Sequence, residues 1–164
     1  MALVVALLVA RSDDDHRGVD RRVAAASLFA AGLVIAVTLT PGGEAIAGGA
    51  PRHMVSCDVS RLAPLPPAAL GRLTDESLNV YLFIPLGIAL AFFPASRWSL
   101  LFGSVALALP IAIEMLQAAV PSLGRVCQSG DVIDNWSGLA LGLAVGLIAR
   151  AVRRAVAKGL CAGR

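Results

Sequence analysis

DVIDNWSGLALGLAVGLIAR, Asp131 to Arg150, puts two aspartates and an asparagine at the head of an apolar run and an arginine at its foot. Asp131, Asn135, Gly138, Gly142 and Gly146 fall at i, i+4, i+7, i+11 and i+15, one stripe along an α-helix. Glycines four apart let a second helix backbone come close, the small-xxx-small pattern of helices packed in lipid. Such packing carries Asp131 and Asn135 toward the neighbouring helix at one membrane rim. The stretch therefore predicts a helical membrane bundle with a polar end.

Composition agrees. Of the 164 residues, 57% are hydrophobic, and the mean hydropathy is +0.78. The apolar residues come in long blocks rather than amphipathic stripes, and helices apolar all round have no stable place in water. This excludes an ordinary soluble globule. The fold class expected is all-α, a polytopic bundle of about four transmembrane helices near 23–40, 79–95, 98–120 and 133–150. The second is the short one: Asn79 to Phe93 reaches only about 22 Å as a helix and needs its flanks or a thin bilayer to cross.

The chain divides into a segment 1–22, a transmembrane domain 23–150 containing a Gly/Pro-rich outer loop 41–78, and a basic tail 151–164. The opening MALVVALLVA, about 14 Å of helix, is too short to span. It reads as non-spanning or partly inserted: a signal-type apolar segment, the end of a longer helix, or an interfacial stretch. Ala45-Ile46-Ala47 has the form of a signal cleavage site, but the Asp-rich leader before the first block argues against it.

Orientation follows from the basic residues. With 11–22 inside, the inner side collects Arg11, Arg17, Arg21, Arg22, Arg97, Arg150, Arg153, Arg154, Lys158 and Arg164, leaving Arg52, Arg61, Arg72 and Arg125 outside. Both termini are then cytoplasmic, and the net charge of +3 is an inner-leaflet bias toward anionic lipid. The basic residues are split among helix ends with no aromatic-studded patch, so a nucleic-acid partner is not expected.

The polar residues converge on the outer face. Glu114 and Gln117 share a face near the end of the third helix, and Pro110 lies on the same stripe. Pro110 also frees the Ala106 carbonyl. Asp75, Glu76 and Asn79 head the second helix; Asp131, Asp134 and Asn135 head the fourth. The binding cluster expected is Asn79, Glu114, Gln117, Arg125, Asp131, Asp134 and Asn135, with Glu114 pairing with Arg125. Ionisable groups in lipid are costly and usually pair or serve a function. The plainer alternative is structural: Asp131 and Asn79 as helix caps, Glu114 and Gln117 as interhelical cross-links.

NVYLFIPLG (Asn79 to Gly87), IEMLQ (Ile113 to Gln117) and GRVCQSGDVIDNWSGLALG (Gly124 to Gly142) occur in this order. Together they resemble the VanZ-like family. The positions that carry the resemblance are Asn79, Phe83, Pro85, Leu86, Gly87, Glu114, Gln117, Arg125, Asp131, Asn135, Gly138 and Gly142; it is silent about residues 1–70. The resemblance implies a small multi-pass protein of the bacterial cell membrane, in a family named for resistance to the glycopeptide antibiotic teicoplanin. It brings no settled catalytic mechanism and no cofactor.

Cys57 and Cys127 fall in the two expected outer loops, where an oxidising exterior permits a bridge; the alternative is two unpaired thiols. No metal site is expected: His16 and His53 lie on opposite expected sides, and Asp13-Asp14-Asp15-His16 reads as a solvated acidic run.

Three function classes remain. The first is a non-catalytic envelope protein that meets lipids, envelope precursors or glycopeptides at the outer rim. The second is an intramembrane enzyme with Glu114 as acid/base, Arg125 holding an anionic head group and Asp131 as a further candidate. No Ser/His/Asp arrangement or HExxH motif supports it. The third is a small transporter that assembles into oligomers, for which the glycine stripe offers an interface. Pro85, Gly87, Gly138, Gly142 and Gly146 are otherwise read as helix-packing residues.

Overall fold

The computed structural model describes residues 20–42, 48, 56–94 and 96–162. The apolar run 1–10, the acidic run with His16, the Ala45-Ile46-Ala47 sequence and His53 lie outside the described residues. Among the described residues there are four α-helices and no strand: α1 Arg21–Thr38, α2 Asp75–Ala91, α3 Arg97–Ala119 and α4 Ser129–Ala162. Short 3-10 turns at Pro67–Gly71 and Pro121–Leu123 precede α2 and follow α3.

Local chemistry sets the boundaries. Asp20 caps α1 by accepting from the Arg22 amide at 2.8 Å. α2 begins at Asp75, a turn before the Asn79 start expected from hydropathy. Thr74 and Ser77 form a reciprocal capping box there, and Asp75 and Glu76 sit at the positive end of the helix dipole. Ser96 caps α3 through the Ser99 amide. α4 does not end with its apolar run. It continues through the basic residues to Ala162, because AVRRAVAK contains only good or tolerable helix formers and no proline. Residues 151–162 of the expected basic tail are the last part of α4.

α1, most of α3 and most of α4 are long and apolar enough to cross a membrane. α2, with 17 residues, is not among them. It is instead the packed centre of the bundle, with Ser77, Val80, Phe83, Leu86, Gly87, Ala89 and Ala91 buried.

The α2–α4 contact is made by glycine. A Cβ on Gly138 would collide with the Val80 carbonyl, and one on Gly142 with the Ile84 carbonyl; one on Gly146 would lie 2.9 Å from the Ile88 carbonyl. In return, a Cβ on Gly87 would lie 2.8 Å from the Leu143 amide nitrogen. The contacting positions rise together along both helices, so α2 and α4 run parallel, with α3 returning between them in sequence. The stripe read from sequence as a face for a close helix neighbour is filled by α2 of the same chain.

Phe83 and Val34, both fully buried, anchor a core with Ala30, Leu86, Ala106, Ile113 and Leu139. Outward, the helices keep large apolar side chains exposed: Leu100 is 75% exposed and Ile148 65%. An apolar surface of this extent needs lipid around it.

Arginines close helix ends. Arg150 of α4 donates to the Ala91 and Phe93 carbonyls at the end of α2, at 2.9 and 3.1 Å, satisfying groups that a helix terminus leaves unpaired. Trp136 Nε1 donates to the Leu107 carbonyl of α3 at 2.9 Å, next to the Ala106 carbonyl that Pro110 leaves without its amide.

Candidate functional site

At the end of the bundle where α2 and α4 begin and α1 and α3 finish, the helices part around a cavity of about 880 Å³. Its apolar wall comes from Leu33 and Val37 of α1 and Leu78, Leu82 and Pro85 of α2. Its polar end holds Asp75, Glu76 and Asn79 of α2, Glu114 and Gln117 of α3, and Asp131 and Asn135 of α4. Arg125 and Gln128, from the segment joining α3 to α4, complete the lining.

Glu114 is buried at 5% exposure, and its Oε2 accepts from the Gln128 backbone amide at 2.8 Å. The Glu114–Arg125 pair expected from sequence does not form. Arg125 turns instead to the C-terminal end of α1, donating from Nε to the Thr40 carbonyl at 3.2 Å and from Nη2 to the Val37 carbonyl at 3.4 Å. Gln117 Nε2 donates to the Thr38 carbonyl at 2.9 Å. A cation and an amide thus cap the same helix end, where free carbonyls and the negative end of the dipole favour them.

Asp131 lies in the first turn of α4 and lines the cavity together with Asn79 of α2. Asn135 is 1% exposed, and its Oδ1 has no hydrogen-bond partner among the described residues. The capping residue of α2 is Thr74 rather than Asn79.

Asp134 belongs elsewhere. It is fully buried, does not line the cavity, and is held from the loop between α1 and α2. Arg61 Nη1 donates to Oδ1 at 3.1 Å, Arg61 Nη2 to Oδ2 at 2.5 Å, and the Leu65 amide to Oδ1 at 3.0 Å. The carboxylate holds the Arg61 guanidinium above its ordinary pKa, chiefly through these hydrogen bonds. Arg61 is the residue that sequence reasoning missed; it counted only as one of four outer arginines. Gly130 makes room for it, since a Cβ there would run into the guanidinium.

The loop is fixed beside the cavity by covalent and backbone bonds. Cys57 and Cys127 form a disulfide across a sequence separation of 70. The next residues, Asp58 and Gln128, make an isolated parallel bridge. In it the Asp58 amide donates to the Cys127 carbonyl at 2.9 Å, and the Ser129 amide to the Asp58 carbonyl at 2.8 Å. Gln128, whose amide serves Glu114, is therefore held on both sides.

Asn79, Glu114, Gln117, Arg125, Asp131 and Asn135 thus share one cavity. Its polar end and apolar wall can receive a molecule that has both characters. Comparison with curated proteins and with solved structures returned no match. A family model described as VanZ/LLP1 matches residues 27–150, and the chain belongs to this VanZ-like family.

Proposed function

We propose that this membrane protein holds an amphiphilic molecule of the cell envelope at the extracytoplasmic rim of the bilayer, without chemical change to it. The observation that carries the reading is the two-sided lining of the 880 Å³ cavity. Carboxylates and amides gather at one end, and Leu33, Val37, Leu78 and Leu82 line the way toward the lipid-facing bundle. Cavities of this size suit small-molecule ligands, with a few polar groups fixing orientation. Lipids, lipid-bearing envelope precursors and glycopeptide antibiotics with apolar tails all have the required form.

The membrane orientation belongs to the same reading. Arg150, Arg153, Arg154 and Lys158 at the far end of α4 favour the cytoplasmic side, which puts the cavity outside and both termini inside. α2 crosses as well, since it runs parallel to α4 and packs along it from Val80 to Ala91. At about 25 Å it needs only its capped first turn and the Arg150-closed end to reach both interfaces.

Native mass spectrometry of the full chain, released from nanodiscs of bacterial lipid, tests the function. The expected result is a retained lipid-sized adduct on the wild type that is lost when Leu78→Trp fills the cavity. Leu78 is 49% exposed, so the larger ring is tolerated by the fold. Absence of an adduct, or its persistence in the variant, overturns the reading. A retained molecule recovered as a cleaved or transferred product would favour the alternative in which Glu114 acts as acid/base.

A further inference from the structure

The cavity is closed toward α3 and α4 and open between α1 and α2. On the closed side Glu114 and Gln117 are only 5% and 6% exposed, and Trp136 ties α4 to the Leu107 carbonyl of α3. Where α1 meets the segment after α3, the Gly42 amide donates to the Leu123 carbonyl at 2.8 Å, and Arg125 donates to the Thr40 carbonyl. Deeper in the bundle, Ala30 of α1 and Leu86 of α2 are buried together in the core. The walls between these closures stay open. Leu33 and Val37 of α1 are 41% and 47% exposed, and Leu78 and Tyr81 of α2 are 49% and 39% exposed, although all four line the cavity. Tyr81, the polar side chain among them, donates its hydroxyl to the Leu70 carbonyl of the turn before α2, not across to α1.

The gap has the form of a slot along the helices. Leu78, Tyr81 and Pro85 follow one another on one face of α2, as Leu33 and Val37 do on α1. Pro85 lies about 15 Å along α2 from Asp75, and a bilayer's hydrocarbon core is about 30 Å thick. The α1 wall continues into Phe29, 51% exposed on the same stripe, so the mouth runs into the outward apolar surface that needs lipid. We infer that this slot is a side entrance for a lipid of the surrounding leaflet. Its head group lodges at the polar end while its acyl chains stay in the bilayer. The inference rests on the reading that the cavity holds an amphiphile, and it names both the class of that molecule and its route. A lipid that enters sideways keeps its chains in apolar surroundings throughout. Chains left outside the slot have no length imposed on them by its walls.

The experiment uses the full chain in phosphatidylcholine nanodiscs that contain a diacyl phosphatidylcholine with a diazirine midway along one chain. Carbene adducts are mapped by peptide mass spectrometry. Adducts are expected on Leu33, Leu82 and Pro85, in the slot, as well as on the outward Leu100 and Ile148. Leu78→Trp, which narrows the mouth, is expected to lower the slot adducts about fivefold and to leave those on Leu100 and Ile148 within about twofold. Leu33→Trp narrows the mouth from the facing wall and is expected to do the same at Leu82 and Pro85; it decides if Leu78→Trp does not fold. Unlabelled dimyristoyl and dioleoyl phosphatidylcholine should compete for the slot within about twofold of each other, since the walls do not measure the chains. Adducts confined to Leu100 and Ile148 overturn the side entrance, as do slot adducts unchanged in both folded tryptophan variants. A strong preference for one chain length overturns it too. A lipid adduct still retained in native mass spectrometry in those cases leaves the amphiphile reading standing. Absence of both the slot adducts and the retained molecule overturns both.

Discussion

The fully buried carboxylate of Asp134, at the head of α4, is gripped by Arg61 from the loop between α1 and α2, 73 residues earlier in the chain, at 2.5 and 3.1 Å. This ion pair, rather than one between Glu114 and Arg125, ties that loop to the bundle. It leaves Glu114 inside the cavity with a backbone amide as its partner.

Removing Arg61 therefore strands a buried charge. Arg61→Ala is expected to destabilise the protein by about 2–3 kcal/mol. This lies below the range for breaking a fully buried pair because the arginine is itself part-exposed. Thermal unfolding in detergent measures it. Adding Asp134→Asn, which keeps an acceptor for the Leu65 amide, should recover part of the loss. A double variant no more stable than Arg61→Ala would argue against the pair as the cause.

The glycine contacts between α2 and α4 predict opposite outcomes at two glycines of similar helical setting. Gly138→Ala forces a Cβ into the Val80 carbonyl and should cost about 2–3 kcal/mol through overpacking. Gly103→Ala, in α3, meets nothing within 4 Å and should gain about 0.5–1 kcal/mol from helix propensity. Parallel melting curves of the two variants would show the contrast, and equal shifts would contradict the close α2–α4 approach.

The disulfide closes a long loop, since Cys57 and Cys127 are 70 residues apart. Chain entropy puts its contribution at about 4 kcal/mol for a fully unfolded reference, less where helices persist in the denatured state. Reductant, or Cys57→Ser, should lower the melting temperature and loosen the Gln128 amide from Glu114. Hydrogen exchange at Gln128 reports the second effect. Mass mapping under non-reducing conditions should recover the two cysteines in one linked peptide, and finding both thiols free would refute the bridge.

Glu114 separates shape from charge. Glu114→Gln keeps an oxygen that can accept from the Gln128 amide, so stability should change by less than about 1 kcal/mol. Glu114→Ala leaves that amide unpaired and should cost about 1–3 kcal/mol. Both should weaken retention of the bound amphiphile, because both alter the polar end of the cavity that Glu114 lines. Full binding by a folded Glu114→Gln protein would return the residue to a purely structural role.

Several of these relationships could be read from the order of residues alone. Long apolar blocks require helices in lipid, and glycines spaced by four along Gly138, Gly142 and Gly146 require a close helix neighbour. The polar starts of α2 and α4 and the polar finish of α3 fall at one end because connected helices alternate direction. That made Asn79, Glu114, Gln117, Arg125, Asp131 and Asn135 a legible set. The first turn of α2 was less legible, since hydropathy does not register a Thr74–Ser77 capping box.

Periodicity fixes which face a residue occupies on its own helix, so most of the polar end of the cavity followed from the sequence, with Asp134 the exception. Partner choice across distant segments was not. Arg61 and Asp134 come together only because the loop folds back over the head of α4, and Gly130 leaves room for the guanidinium. Arg125 faced a carboxylate and a helix end; the fold gave it the unpaired carbonyls of α1. The same glycine stripe suits a second chain or a neighbouring helix, and the parallel course of α2 beside α4 decided for the neighbour. Such choices depend on three-dimensional distance, which no local pattern encodes.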